Sequence, residues 1–159
     1  MKIMIVSDTH RNESNYYAAL EKETPIDLLI HCGDAEGREA VITQAAACPT
    51  EIILGNNDFF SNLPREKEIE LNQYHIWITH GHQYNVSMGN ELLKEEARSR
   101  GTDIVLYGHT HKPVIEAEEG LLTMNPGSLT YPRQEGRRPS YIILELNENQ
   151  EPQAEIKYL

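Results

Sequence analysis

Five short polar clusters in this chain combine residue types that can hold metal ions. They are Asp8-Thr9-His10, Gly33-Asp34, Gly55-Asn56-Asn57-Asp58, His80-Gly81-His82 and Gly108-His109-Thr110-His111. Asp, Asn and His without Cys make an oxygen and nitrogen donor set, which suits Mn, Fe, Zn, Ni and similar first-row ions better than a thiolate site does. Taken singly, most clusters have ordinary uses. Asp8-x-His10 reads as a strand-end cap, Asp34 and Asn56 as caps of a following helix or turn, and His80 as a surface residue. The His109-x-His111 pair is more specific, because imidazoles rarely accumulate at that spacing without a metal or proton-transfer purpose.

The elements that must position these clusters can be read from hydrophobic patterning. Each cluster stands directly after a short apolar run: residues 2–7, 27–31, 51–54, 75–79 and 103–107. Helix-forming stretches cover 13–23, about 36–47 and 91–100; the first stops at Thr24-Pro25, where the residue before proline leaves helical space, and the last at Gly101. The runs EIEL and HIWIT flank Asn72-Gln73-Tyr74 as a hairpin. Beyond residue 112, the segments 113–118, 121–124, 140–146 and 153–158 read as strands between turns, so the C-terminal half is expected to be mostly antiparallel sheet. Together these predict an α/β fold, an α/β/β/α sandwich of two mixed β-sheets flanked by helices. Ligands of open α/β sheets bind outside the carboxyl ends of the strands, so clusters distant in sequence converge on one rim. Seven candidate ligands there predict two divalent ions.

Composition narrows the function classes. A chain of 159 residues fits one domain spanning 1–159. It is 39% hydrophobic and 25% charged with a mean hydropathy of -0.55, and no apolar run nears the roughly 20 residues of a membrane span, so a soluble protein with no membrane partner is expected. Ile3 to Val6 is too short for a signal-peptide core. Cys32 and Cys48 read as core thiols in a reducing compartment, which points to a cytoplasmic location. The formal charge of -11, from 25 acidic against 14 basic residues, disfavours long nucleic acid, although bound cations can reverse the sign locally.

The five clusters, in this order, resemble the signature of the calcineurin-like metallophosphoesterases. The compact length and Asn125-Pro126-Gly127-Ser128 are further similar to the small bacterial YfcE/YsnB-type phosphodiesterases, over residues 3 to about 133. The resemblance implies one metal at Asp8, His10, Asp34 and His111, and a second at Asp34, Asn56, His80 and His109. Asp34 would bridge the pair, Mn foremost with Zn, Fe or Ni as alternatives, and a bridging hydroxide would attack phosphorus in line. Larger phosphatases of the family have His where this chain has Asn57, a proposed proton donor to the leaving group. Loss of such a donor, worth about 10²–10⁴-fold, favours esters whose leaving group departs easily, hence diesters over monoesters.

Asp34, Asn57, Asp58 and His82 form the expected catalytic set. Asp58 would orient Asn57 or His10, and His82 would touch substrate or support His80. His31 and His75 are expected to be structural, Arg133 to pair with phosphate or lie on the surface, and the acidic stretch Glu116 to Glu119 to be a solvated sheet edge. The substrate class is a small phosphate ester, and a homo-oligomer is left open. Two other functions fit the same layout: a protein-binding scaffold like the metallophosphoesterase-fold subunit of retromer, and a nuclease for short nucleic acids. The intact ligand positions place the scaffold second.

Overall fold

The computed structural model describes residues 1–159 and consists of two five-stranded sheets packed face to face, with helices on both outer surfaces. The first sheet begins with β1 (Lys2–Val6), crosses over through α1 (Ser14–Glu23) to β2 (Leu28–His31), and crosses again through α2 (Glu39–Ala46) to β3 (Thr50–Ile52). These three strands are parallel. The second sheet is built from β4 (Glu66–Leu71), β5 (Tyr74–Thr79), β6 (Ile104–Leu106), β7 (Pro113–Glu118) and β8 (Leu121–Pro126), with α3 (Glu91–Ser99) between β5 and β6. The chain then returns to the first sheet with β9 (Ser140–Glu145) and β10 (Gln153–Tyr158). The spatial orders are β10-β9-β1-β2-β3 and β4-β5-β6-β8-β7.

Strand alternation explains the layering. Ile3 and Ile5 of β1 point inward, where they meet Ile30, Ile76, Ile78, Leu106 and Met124 in the core between the sheets. Met4 and Val6, one residue out of phase, face α1 and α2 through Tyr16, Ala19, Leu20 and Ile42. Trp77 and Val105 face the opposite way, onto Leu93 and Ala97 of α3. The α/β/β/α sandwich read from the sequence is therefore the architecture observed.

Three details differ from the sequence reading. First, the middle of the second sheet, β5-β6-β8, is parallel, with antiparallel pairing only at β4/β5 and β7/β8. The connections give the reason: the α3 crossover brings β6 back in the direction of β5, and β7, running the other way at the edge, brings β8 back in the direction of β6. Secondly, α2 starts at Glu39 and not near residue 36, because Asp34, Glu36 and Gly37 all have positive φ (62°, 54° and 82°) and cannot continue a helix. Thirdly, Glu116 and Glu118 are not merely solvated. The Lys94 ammonium, nearly buried on α3, lies 2.7 Å from Glu116 and 3.2 Å from Glu118 and ties that edge to the helix. Of the two thiols, Cys32 is fully buried, whereas Cys48 is only partly so.

Ile78 is fully buried between the sheets and immediately precedes the Thr79-His80 strand end, so its truncation tests whether the sandwich core positions the rim. Ile78→Ala is expected to lose about 2–5 kcal/mol in urea denaturation, the usual cost of a buried aliphatic cavity; a loss below about 1 kcal/mol would contradict the packing.

Candidate metal centre

The carboxyl ends of β1, β2 and β3 and those of β5 and β6 deliver the five clusters to one place. Asp8 and His10 follow β1, Asp34 follows β2, Asn56 follows β3, His80 follows β5, and His109 and His111 follow β6. Contacts between the clusters show the convergence. Asp8 N donates to the Gly33 carbonyl at 3.0 Å, His10 N to the Asp34 carbonyl at 3.0 Å, and His109 N to Asp8 Oδ2 at 3.1 Å.

The backbone there is strained. Asp8, His10, Asp34, His109 and His111 have φ of 55°, 46°, 62°, 68° and 58°, in the left-handed region that costs an L-residue roughly 1–2 kcal/mol. Close approach adds a second constraint. A Cβ at Gly55 would collide with the Asp34 carboxylate, and one at Gly33 would lie 2.7 Å from both Gly55 N and His80 Nδ1. Only glycine lets these loops meet.

Three imidazoles have their tautomer set from behind. His10 Nδ1 lies 2.6 Å from Glu36 Oε1, His80 Nδ1 2.7 Å from the Cys32 carbonyl, and His111 Nδ1 2.7 Å from the Tyr131 carbonyl. All three partners are acceptors, so Nδ1 carries the proton and, in the neutral ring, Nε2 presents a lone pair inward. Those lone pairs meet other electron-rich atoms. His10 Nε2 and His111 Nε2 are 3.2 Å apart, and Asp8 Oδ1 sits 3.0 Å from His111 Nε2 and 3.7 Å from His10 Nε2. Asp8 Oδ1 is fully buried and accepts no hydrogen bond, despite the nearby imidazole.

A second grouping lies alongside. His80 Nε2 is 3.5 Å from Asp34 Oδ2, 3.9 Å from Asp8 Oδ1 and 3.0 Å from Asn56 Oδ1, which in turn is 2.8 Å from His109 Nδ1. Asp8, His10 and His111 form one set with metal-ligand spacing, and Asp8, Asp34 and His80 another. Asp8 is common to both sets, while Asp34 Oδ2 lies between them, 3.8 Å from His10 Nε2 and 3.5 Å from His80 Nε2.

The electrostatics agree with a cation site. Burial opposes ionisation of Asp8, yet the His10 and His111 imidazoles, with His80 nearby, hold its carboxyl well below the usual carboxylate range. Burial likewise works against the charge on Asp34, and His80 and Asn57 outweigh it. His10 is desolvated, but Asp8 and Glu36 push it up to about 9, and Asp34 and Asp8 raise His80 in the same way. Protons thus favour the His10 and His80 rings where no metal is bound, and metal binding must displace them. Hard carboxylates, one amide oxygen and several imidazoles fit a first-row divalent ion.

The remaining expected residues fall as follows. Asn57 donates to Asp34 twice, from its backbone N at 2.8 Å and its Nδ2 at 2.7 Å. Asp58 bonds neither the Asn57 side chain nor His10; its carboxylate accepts from Asp34 N at 2.7 Å, Glu36 N at 2.5 Å and Gly55 N at 2.7 Å, which clamps two loops together. His82 makes no hydrogen bond to His80 and packs beside it and His109, with ring centroids 5.5 Å and 6.0 Å away. His31 is buried between Thr9 Oγ1 and Gly33 N, and His75 bridges Glu68 and the Gly101 carbonyl. Arg133 lines a neighbouring cleft with Thr110 and Lys112. Residues missed in the sequence are Glu36, behind His10, and Ser7 and Ser128, whose hydroxyls bond Asp8 Oδ2 and the Asp8 carbonyl. Only the short interval between Asp34 and Glu36 hinted at the first.

The family model for the calcineurin-like phosphoesterase superfamily domain matches residues 1–149, and the chain belongs to that superfamily. It is 33% identical over 147 residues to a probable metallophosphoesterase, YsnB, of Bacillus subtilis, covering 92% of this chain and 85% of the relative. It is 32% identical over 145 residues to a phosphodiesterase of Methanocaldococcus jannaschii, covering 80% and 83%. A predicted phosphoesterase from Streptococcus pneumoniae superposes with a TM-score of 0.82 at 27% identity, covering 99% of this chain and 88% of that one. Zinc-complexed Vps29 of Entamoeba histolytica shares the fold, with a TM-score of 0.80 at 22% identity over 99% of both chains. The chain is a metallophosphoesterase by family, a family that binds a dimetal centre, and the groupings around Asp8 are candidate metal-ligand sets.

His31 gives a test of this rim by pH. Burial pushes it down from 6.5 to about 4, so on acidification the unfolded chain takes up this proton first. The corresponding stability is fully present above pH 6.5 and is lost as pH falls towards 4, at up to about 1.4 kcal/mol per unit. His31→Gln should flatten the fall in unfolding free energy of the metal-free protein across that window. Parallel curves for the two proteins would contradict the assignment.

Proposed function

We propose that the chain, acting as one unit over residues 1–159, is a cytoplasmic phosphodiesterase of small esters that works with two divalent cations, Mn foremost. Asp8, His10, Asp34 and His111 would hold one ion and Asp34, Asn56, His80 and His109 the other. The observation that carries this reading is Asp8 Oδ1, a buried anionic oxygen without a donor, facing imidazole lone pairs. Ions bound there would neutralise phosphate charge and lower the pKa of water.

The protein's own groups account for the rest. Glu36, Cys32 and Tyr131 hold the Nδ1 side of the rings, which leaves Nε2 towards the space where the ions would bind. Asn57 holds Asp34 by two donors, so its amide is committed to orientation and no imidazole stands there to protonate a leaving group. Burial and the neighbouring His80 push His82 below its ordinary value, and its ring lines the groove beside Asn56. Weak protonation of the leaving group supports diesters with good leaving groups over monoesters. The free thiols of Cys32 and Cys48 support a reducing compartment, and no helix is long and apolar enough to cross a membrane.

Asp34→Asn tests the bridging role. Even the hydrogen-bond partners of metal ligands are worth about 10–100-fold, so this variant should lose at least about 100-fold in Mn²⁺-supported hydrolysis of bis(p-nitrophenyl) phosphate. Elemental analysis should show it binding fewer ions than wild type. Full activity with full loading would remove Asp34 from the centre. The wild type should also turn over the diester faster than p-nitrophenyl phosphate, and the reverse order would overturn the diester preference.

A further inference from the structure

The loop from Asn57 to Asn62 separates two clefts beside the candidate metal centre. One, of about 370 Å³, is lined by Arg11, Glu36, Glu39, Asn57, Phe59 and Phe60 among others. The second, of about 320 Å³, includes Asn56, Phe59, Arg65 and His82. Both share residues with the centre: Asn57 holds Asp34 and Glu36 holds His10 in the first, and Asn56 contacts His80 and His109 in the second. Phe59 lines both.

The chain has only two phenylalanines, and both are here, 78% and 101% exposed. Neither belongs to any of the hydrophobic cores. Burial is the usual reason to hold a phenylalanine, so an adjacent exposed pair on an otherwise polar loop, at the lip of a hydrolytic site, calls for a ligand. Arg11, which also contacts Glu36, lines the first cleft and Arg65 the second, so each cleft carries a guanidinium in a chain of net charge -11.

We propose that Phe59 and Phe60 are a stacking platform for a nucleobase, so that the phosphodiester cleaved here is the ester of a nucleoside. This rests on the phosphodiesterase reading above. Every base offers a flat π face that stacks on an exposed aromatic ring, whereas an aliphatic ester would leave both rings in water. The polar walls suit the base edge. Glu39 lines the same cleft, and its carboxylate can accept from ring or exocyclic N–H groups. The guanidinium in either cleft can pair with phosphate oxygens. Clefts of this volume suit a small molecule better than a flat protein face.

The test is calorimetric binding of adenosine 5′-monophosphate and ribose 5-phosphate to the Mn²⁺-loaded full chain, with wild type and a Phe59→Ala, Phe60→Ala double variant. Both ligands carry the same phosphate and sugar, so only the base differs. Stacking on aromatic side chains predicts a roughly 5- to 150-fold tighter fit of the nucleotide in wild type, falling to near parity in the double variant. An unchanged melting temperature shows that the variant folds, as expected for rings outside the core. Equal affinities in wild type, or a preference that survives the double substitution, overturn the proposal. Hydrolysis of bis(p-nitrophenyl) phosphate is scored separately: nucleotide preference without turnover sinks the diesterase reading and keeps the platform, and turnover without preference does the opposite.

Discussion

The interaction on which this structure turns is the meeting of a buried carboxylate oxygen and several imidazole Nε2 atoms in one space, where no hydrogen bond to that oxygen forms. A buried carboxylate ordinarily gains backbone or side-chain donors, and Asp8 Oδ2 does so from Ser7 and His109. Its other oxygen, Oδ1, faces His111 and His10 and gains none. Leaving such an atom unpaired costs several kcal/mol unless a positive charge sits beside it, and only protons on the rings or a bound cation can provide one. The Nδ1 partners of His10, His80 and His111 are all acceptors, so each ring is held with its Nε2 towards that shared space.

The sandwich exists, in functional terms, to hold these atoms against their own repulsion. Five residues in left-handed backbone conformations are kept there by cross-loop hydrogen bonds, and Asp58, with Asn57, joins the turn after β2 to the turn after β3, accepting from Asp34 N and Glu36 N across the gap. Local strain of this kind persists where surrounding packing over-determines it. The buried strands directly beneath, with Val6, Ile30, Ile53, Ile78 and Leu106 all enclosed, supply that packing.

Much of this was legible in the sequence because strand ends are marked twice, by an apolar run and by the polar cluster that follows. Asp8, His10, Asp34, Asn56, His80, His109 and His111 were all found that way, and the coordinates bring them to one rim. Contacts that depend on direction were not legible. Glu36 reaches His10 only because Asp34 and Glu36 adopt positive φ, which no residue pattern announces. The Asn57 amide turns back onto Asp34, and Asp58 onto backbone N–H groups, choices made by loop geometry. The parallel centre of the second sheet follows from the α3 and β7 connections, whereas the strands themselves look alike in sequence whichever way they run. Lys94 was invisible as a structural cation because its partners, Glu116 and Glu118, are distant in the chain.

The central claim is that one protein chain gathers two cations close enough to act together. Electron paramagnetic resonance of the purified chain titrated with Mn²⁺ measures this directly, since ions sharing a carboxylate about 3.5–4 Å apart are exchange-coupled. The account predicts saturation at two ions per chain with a coupled multiline spectrum. Two magnetically isolated ions, or saturation at one or none, would contradict it.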